Sequence, residues 1–225
     1  QVHRRQGKEV SALGIARLAQ AGAAPLAIIF GAGKVGRGFL ADILYNSGWQ
    51  LKFVDTNTTV IEELGRMGHH VIHRLCEPAR EQRIRNCGAA VLGDPVVDEW
   101  IQKADLLMTA IGANHLESWS KTVSDAVERR LEKGPLDILL AENHHSPAQL
   151  VRIALGIEDP HLGVIQSQIL RSCIEPTEEL VDRFGELVLR VQDHAELPMD
   201  KDAIQNLDLL MSIEGVTPKS EFELE

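Results

Sequence analysis

At 225 residues, with 44% hydrophobic and 25% charged side chains, the chain has an ordinary globular composition and is long enough to bury one substantial core. A formal net charge of −10 argues against nucleic acid or an anionic membrane as the main partner. Cys76, Cys87 and Cys173 are too few and too scattered for a disulfide framework, and no apolar run reaches bilayer length, so a reducing, cytoplasmic setting is the expectation.

Residues 1–25 carry a short helical pattern at Val10, Leu13 and Leu18 but no signal-peptide core. They are expected to be an N-terminal extension or the remnant of a longer leader. Leu26 to Phe30 is an apolar, partly β-branched run that stops at Gly31. Val35, Phe39 and Ile43 then recur at helical spacing. The turn between this strand and helix reads G-x-G-x-x-G. Gly31 would make the sharp turn, Gly33 would let a pyrophosphate approach the backbone, and Gly36 would let helix and strand pack closely. The N–H groups opening the helix would receive phosphate charge. Lys34 and Arg37 flank this loop and read either as phosphate contacts or as helix-surface cations. After a helix end at Ser47-Gly48, Trp49 to Asp55 reads as a second strand. Asp55 stands about twenty residues beyond the third glycine, where a carboxylate accepts the hydroxyls of an adenosine ribose and repels a 2′-phosphate. That favours NAD over NADP.

Farther along, the Thr59-to-Glu62 spacing predicts a capping box and a helix with Val60, Leu64 and Met67 on one face. His69 to Leu75 can form a third strand, the charged stretch Glu77 to Asn86 an exposed excursion, and Cys87 to Leu92 a short extra strand. A turn at Gly93-Asp94-Pro95 leads to a short helix over Val97 to Lys103. Ala104 to Gly112 reads as a buried strand. The helix after it takes Asn114 as its cap and turns Leu116, Trp119, Val123 and Val127 inward. Gly134-Pro135 ends it, Leu136 to Ala141 is another strand, and Pro147 opens a helix at its permitted first position. Leu162 to Ile169 and Glu186 to Asp193 are expected strands around an acidic helix over Thr177 to Phe184. Periodicity is weak from Ala195 onward.

This alternation predicts an α/β fold, a doubly wound, Rossmann-type, mostly parallel sheet with helices on both faces. Ligands bind at the carboxyl ends of such strands, so Gly31, Asp55, Thr109 to Gly112 and Glu142-Asn143 should converge on one edge. The histidines at 69, 70 and 73 lack matched carboxylates or thiolates and read as surface or packed side chains; no metal is expected. His144-His145 reads as a loop pair or as a wall of the nicotinamide or substrate side. Cys173 has no evident base partner and reads as structural. From residues alone, an NAD-dependent oxidoreductase domain, a non-catalytic NAD-binding module and a domain for another nucleotide such as S-adenosylmethionine all remain open.

The string Gly31-Ala32-Gly33-Lys34-Val35-Gly36-Arg37-Gly38-Phe39 resembles the GAGxxGRGF signature of the long-chain, metal-independent polyol (mannitol) dehydrogenase family. Phe53 to Asn57, Ala104 to Leu106 with Thr109 to Gly112, Ala141-Glu142-Asn143, and Glu196 to Lys201 resemble further family segments in the family's order. The resemblance implies NAD-dependent oxidation of a sugar-alcohol phosphate to a ketose phosphate, with mannitol 1-phosphate and fructose 6-phosphate as the pair. It places Asn143 among the polar groups around the reacting oxygen. With the readings above it gives the candidate cofactor contacts Gly31, Gly33, Lys34, Val35, Gly36, Asp55, Asn57, Ala110, Gly112, Glu142 and Asn143. Two features depart from the family. Its catalytic lysine lies in a K-x-x-x-x-N-x-x-H helix that this sequence lacks, and Leu170 stands where the family segment S-x-V-D-R has an acid. Residues 26–201 are therefore expected to be the NAD-binding domain. Residues 202–225 are expected to be a tail leading toward a C-terminal helical substrate domain outside this sequence.

Overall fold

The computed structural model describes residues 24–220; the helical pattern expected around Val10 lies outside the described residues. β1 (Leu26–Phe30) runs into the glycine turn, then a π-helical turn over Gly36–Leu40, then α1 (Ala41–Asn46). The Ala41 N–H bonds back to the Gly36 carbonyl, the five-residue reach of a π-bulge, a feature frequent at functional sites. β2 (Gln50–Asp55) follows, then α2 (Thr58–Met67), β3 (His69–Leu75), β4 (Arg80–Arg85), β5 (Ala89–Val91) and α3 (Pro95–Ile101). Next come β6 (Leu106–Thr109), α4 (Leu116–Leu131), β7 (Leu136–Leu140), α5 (Pro147–Leu155) and β8 (Leu162–Gln166). The remainder holds β9 (Cys173–Ile174), α6 (Glu178–Phe184), β10 (Leu189–Gln192), β11 (Leu197–Asp200), α7 (Leu207–Leu210) and β12 (Val216–Lys219).

Six strands form one all-parallel sheet in the order β5-β2-β1-β6-β7-β8. The chain reverses its winding between β1 and β6, which opens a crevice at their carboxyl ends. Strand alternation divides the core in two. Ala27 and Ile29 of β1 face one cluster with Phe39, Leu40 and Met108; Ile28 and Phe30 face another with Leu107, Trp119 and Val123. Phe30 and Trp119 meet edge to face with ring centroids 5.2 Å apart, a geometry that adds to simple area burial.

Several expectations needed correction. The stretch read as an exposed excursion contains β4, which pairs antiparallel with β3 from His69↔Arg85 to Arg74↔Arg80. Ile84 is its one fully buried residue, so its charges concealed a strand. β3 lies outside the main sheet, in a four-stranded sheet ordered β4-β3-β10-β9, and the short β5 takes the position beside β2. Asn57, not Thr59, caps α2, its side chain accepting the Val60 N–H at 3.2 Å. Asn114 falls within a 3₁₀ turn over Ala113–His115 that leads into α4 without a side-chain cap.

Residues 201–219 fold onto the main sheet. Asp137 of β7 is fully buried and accepts the N–H groups of Gln205 and Asn206 at 2.9 and 2.8 Å. Burial pushes its carboxyl above the ordinary range despite those amides. Its neighbour across the sheet must be glycine, because a Cβ on Gly163 would lie 1.9 Å from Asp137 Oδ1. Among the described residues no helix is long and apolar enough to cross a membrane.

Candidate cofactor site

The glycine turn is held by contacts that exclude larger residues. Gly31 has φ +99° and donates to the Val54 carbonyl at 2.8 Å; a Cβ there would lie 2.2 Å from Ala110 O. A Cβ on Gly36 would lie 1.9 Å from Gly31 O. Gly33 differs: it is exposed, and no atom lies within 4 Å of where its Cβ would be. The loop is jammed against its own scaffold at two glycines and open on the ligand side at the middle one.

Asp55 stands half-buried at the end of β2. Its Oδ2 accepts the Ala32 N–H at 2.6 Å and its Oδ1 the Asn57 N–H at 2.9 Å. These bonds fix the carboxylate's orientation while each oxygen keeps a lone pair for a hydroxyl. Beside it opens a cavity of about 310 Å³, lined by Phe30, Val54, Leu92, Ile111 and Trp119, by the polar Asp55, Thr56, His115 and Ser118, and by Gly31, Gly33 and Ala110. A mostly apolar cleft with a few fixed polar groups, next to an open glycine loop at a helix start, fits the adenosine and pyrophosphate of a dinucleotide.

The remaining candidates divide. Val35 packs on the core beneath the loop. Lys34 is half-exposed and ion-paired to Glu175 at 2.9 Å. Arg37, read as a phosphate or surface cation, is buried and donates to the carbonyls of Ala32 and Leu187 at 2.7 and 2.5 Å. Burial lowers its pKa to about 10, opposed by Glu175 and Asp55, so it stays charged beneath the loop. The Asn57 side chain is engaged in capping α2. Glu142, buried at the end of β7, receives the N–H groups of Ile111 and Gly112, both at 2.9 Å. Asn143, His144 and His145 follow it on the exposed carboxyl edge; His144 Nδ1 accepts the Ser146 N–H at 3.1 Å. Leu92, His115, Ser118 and Trp119 were not read as cavity residues. The signal for Leu92 was its place after a short strand, which becomes informative only once β5 is known to pair with β2.

Behind the loop, His70 of β3 is buried and its Nε2 contacts the Arg37 carbonyl at 2.8 Å. That contact requires the proton on Nε2, and buried Nδ1 has no hydrogen-bond partner. Burial, then the Arg37 charge, lowers the His70 pKa from 6.5 to about 3, against the pull of the Arg37 carbonyl. The unfolded chain therefore binds a proton below pH 6.5 that the native state refuses. This contribution to stability is intact above that pH and is lost as pH falls toward 3, by up to about 1.4 kcal/mol per pH unit. Denaturant titrations from about pH 7 to about pH 5 should accordingly find about 2 kcal/mol of this loss in the natural chain. In His70→Gln, which keeps a donor but does not titrate, the loss should be smaller by that amount. Identical slopes would refute the assignment.

Together, the sheet order, the glycine turn and the carboxylate-walled cavity define a nucleotide-binding α/β domain of the dehydrogenase kind. The family model described as mannitol dehydrogenase Rossmann domain matches residues 25–198, and the chain belongs to that family. It is 34% identical over 121 residues to mannitol-1-phosphate 5-dehydrogenase of Anoxybacillus flavithermus, an overlap covering 52% of this chain and 32% of that protein. The fold is similar to octopine dehydrogenase in complex with NADH and L-arginine (TM-score 0.63, 13% identity, 89% of this chain and 50% of that one). It is also similar to glycerol-3-phosphate dehydrogenase from Coxiella burnetii (TM-score 0.54, 11% identity, 87% and 54%). The chain thus spans about a third to a half of the length of these relatives.

Proposed function

We propose that this chain is the cofactor-binding part of an oxidoreductase that interconverts a sugar-alcohol phosphate and a ketose phosphate, mannitol 1-phosphate and fructose 6-phosphate being the pair. The cofactor is NAD(H). The observation that carries this reading is Asp55, a carboxylate fixed by two backbone amides in the wall of the cavity beside the open glycine loop. The family match and the similarity to a mannitol-1-phosphate 5-dehydrogenase support the substrate class. Backbone N–H groups around Gly33 and Lys34 would receive the pyrophosphate charge, and Asp55 would accept the ribose hydroxyls and repel a 2′-phosphate. When bound, the nicotinamide supplies the hydride acceptor or donor for the reacting carbon. Asn143, exposed at the carboxyl edge beyond β7, would steady the substrate oxygen. The base that removes the hydroxyl proton is proposed to come from the additional length that the relatives possess.

Fluorescence titration tests the cofactor assignment. NADH should bind at least about tenfold more tightly than NADPH, a difference of about 1.4 kcal/mol, and Asp55→Asn should narrow that gap. Equal affinities for the two cofactors in the natural chain would overturn the role of Asp55. Mannitol 1-phosphate with NAD should give no turnover with this chain alone; turnover would refute the proposal of an external base.

A further inference from the structure

We infer that Glu142 is a positioning residue of this site: its carboxylate holds the loop after β6 in the conformation that receives the nicotinamide half of the cofactor. The inference rests on the NAD(H) reading above. Three observations carry it. Glu142 is buried, and its two oxygens take the consecutive N–H groups of Ile111 and Gly112, both at 2.9 Å, so one carboxylate fixes two adjacent peptide planes. Gly112 has φ +86°, which glycine adopts freely but as one of many conformations, so the two bonds from Glu142 select it. The same loop abuts the phosphate loop, for Ala110 O and Ile111 Cγ2 would lie 2.2 and 3.2 Å from a Cβ on Gly31.

The direction of the effect follows from sheet order. Asp55 marks the adenosine side at β2, so the rest of the cofactor must run across β1 and β6 toward β7. Ala110 and Ile111 belong to the adenosine cavity, whereas Gly112 and Glu142 lie beyond its lining. Among the described residues, Glu142 thus joins the ends of β6 and β7 through side-chain bonds to both Ile111 and Gly112. Removing its hold should disturb the nicotinamide side most, reach the adenosine cavity only through Ile111, and leave Asp55 and Gly33 as they are.

The test compares NADH with ADP-ribose, which lacks the nicotinamide, on the natural chain and on Glu142→Gln, with circular dichroism reporting the fold. The glutamine keeps the volume but turns an NH₂ donor toward one of two N–H donors. NADH affinity should fall at least about tenfold, and ADP-ribose affinity by less than about threefold. Unchanged NADH affinity in the folded variant overturns the inference, as does a parallel fall for both ligands. If Glu142→Gln does not fold, Gly112→Ala gives the same comparison from the other side of the contact. Nothing lies closer than 3.8 Å to its new Cβ, so only the strained φ opposes it. Natural chain that binds neither ligand would overturn the NAD(H) reading itself; binding of ADP-ribose with no gain for NADH would overturn only the role of Glu142.

Discussion

Replacing Asp42 with alanine is expected to lower the free energy of unfolding by about 3–5 kcal/mol. Asp42 lies in α1, directly behind the phosphate loop, and is fully buried. Arg74 of β3 donates to one of its oxygens and Arg171, just before β9, to the other, each at 2.5 Å. Arg74 also reaches Gln82 Oε1 at 2.9 Å; Arg171 reaches the carbonyls of Gly38 and His194 and lies over the Phe39 ring at 5.1 Å. One carboxylate therefore fastens the cofactor-loop helix to both halves of the second sheet. Without it, buried Arg171 loses its counter-charge and Arg74 keeps only Asp193, at 3.6 Å, a deficit comparable to the whole stability of a modest domain. Replacing all three residues by apolar ones of similar volume should be far less harmful, because no charge is then left unpaired. Denaturant midpoints would decide; an Asp42→Ala loss below about 1 kcal/mol would mean that water reaches the arginines.

The largest effect on binding is expected from Gly36→Ala. Its Cβ would sit 1.9 Å from Gly31 O and 3.3 Å from Ile29 Cγ2, and the nearer obstacle is backbone that cannot rotate away. The helix start must then shift off the strand, carrying its N–H groups with it, and NADH affinity should fall about a hundredfold or more, with a loss of stability. Gly33→Ala is the informative partner. With nothing within 4 Å of its Cβ, the melting temperature should scarcely change, yet the methyl group would occupy the space through which we propose that the pyrophosphate approaches. NADH titration and thermal melting of the two variants should separate scaffold from contact; equal behaviour in both measurements would contradict the division of roles.

How much of this was legible in the sequence depends on how far apart the cooperating residues are. The succession of β1, glycine turn, helix, β2 and Asp55 is written in contiguous residues, where apolar periodicity and turn chemistry act locally, and the alternation of strands and helices through α5 follows in the same way. The sequence by itself therefore determined the parallel α/β class, the glycine turn after β1 and the carboxylate at the end of β2. Only the tertiary structure decided the rest. Charged β4 became a strand because β3 offered it an antiparallel edge, and β5 rather than β3 joined the main sheet because it pairs with β2. Arg37 and Lys34 look alike beside the loop, yet one is buried under the second sheet and the other meets Glu175 at the surface. Asp42 with Arg74 and Arg171, Asp137 with Gln205 and Asn206, and Glu142 with Ile111 and Gly112 join positions about 30 to 130 residues apart. The worth of such contacts comes from burial and the loss of water around them. Those quantities exist only once the chain has folded, so no local pattern could announce them.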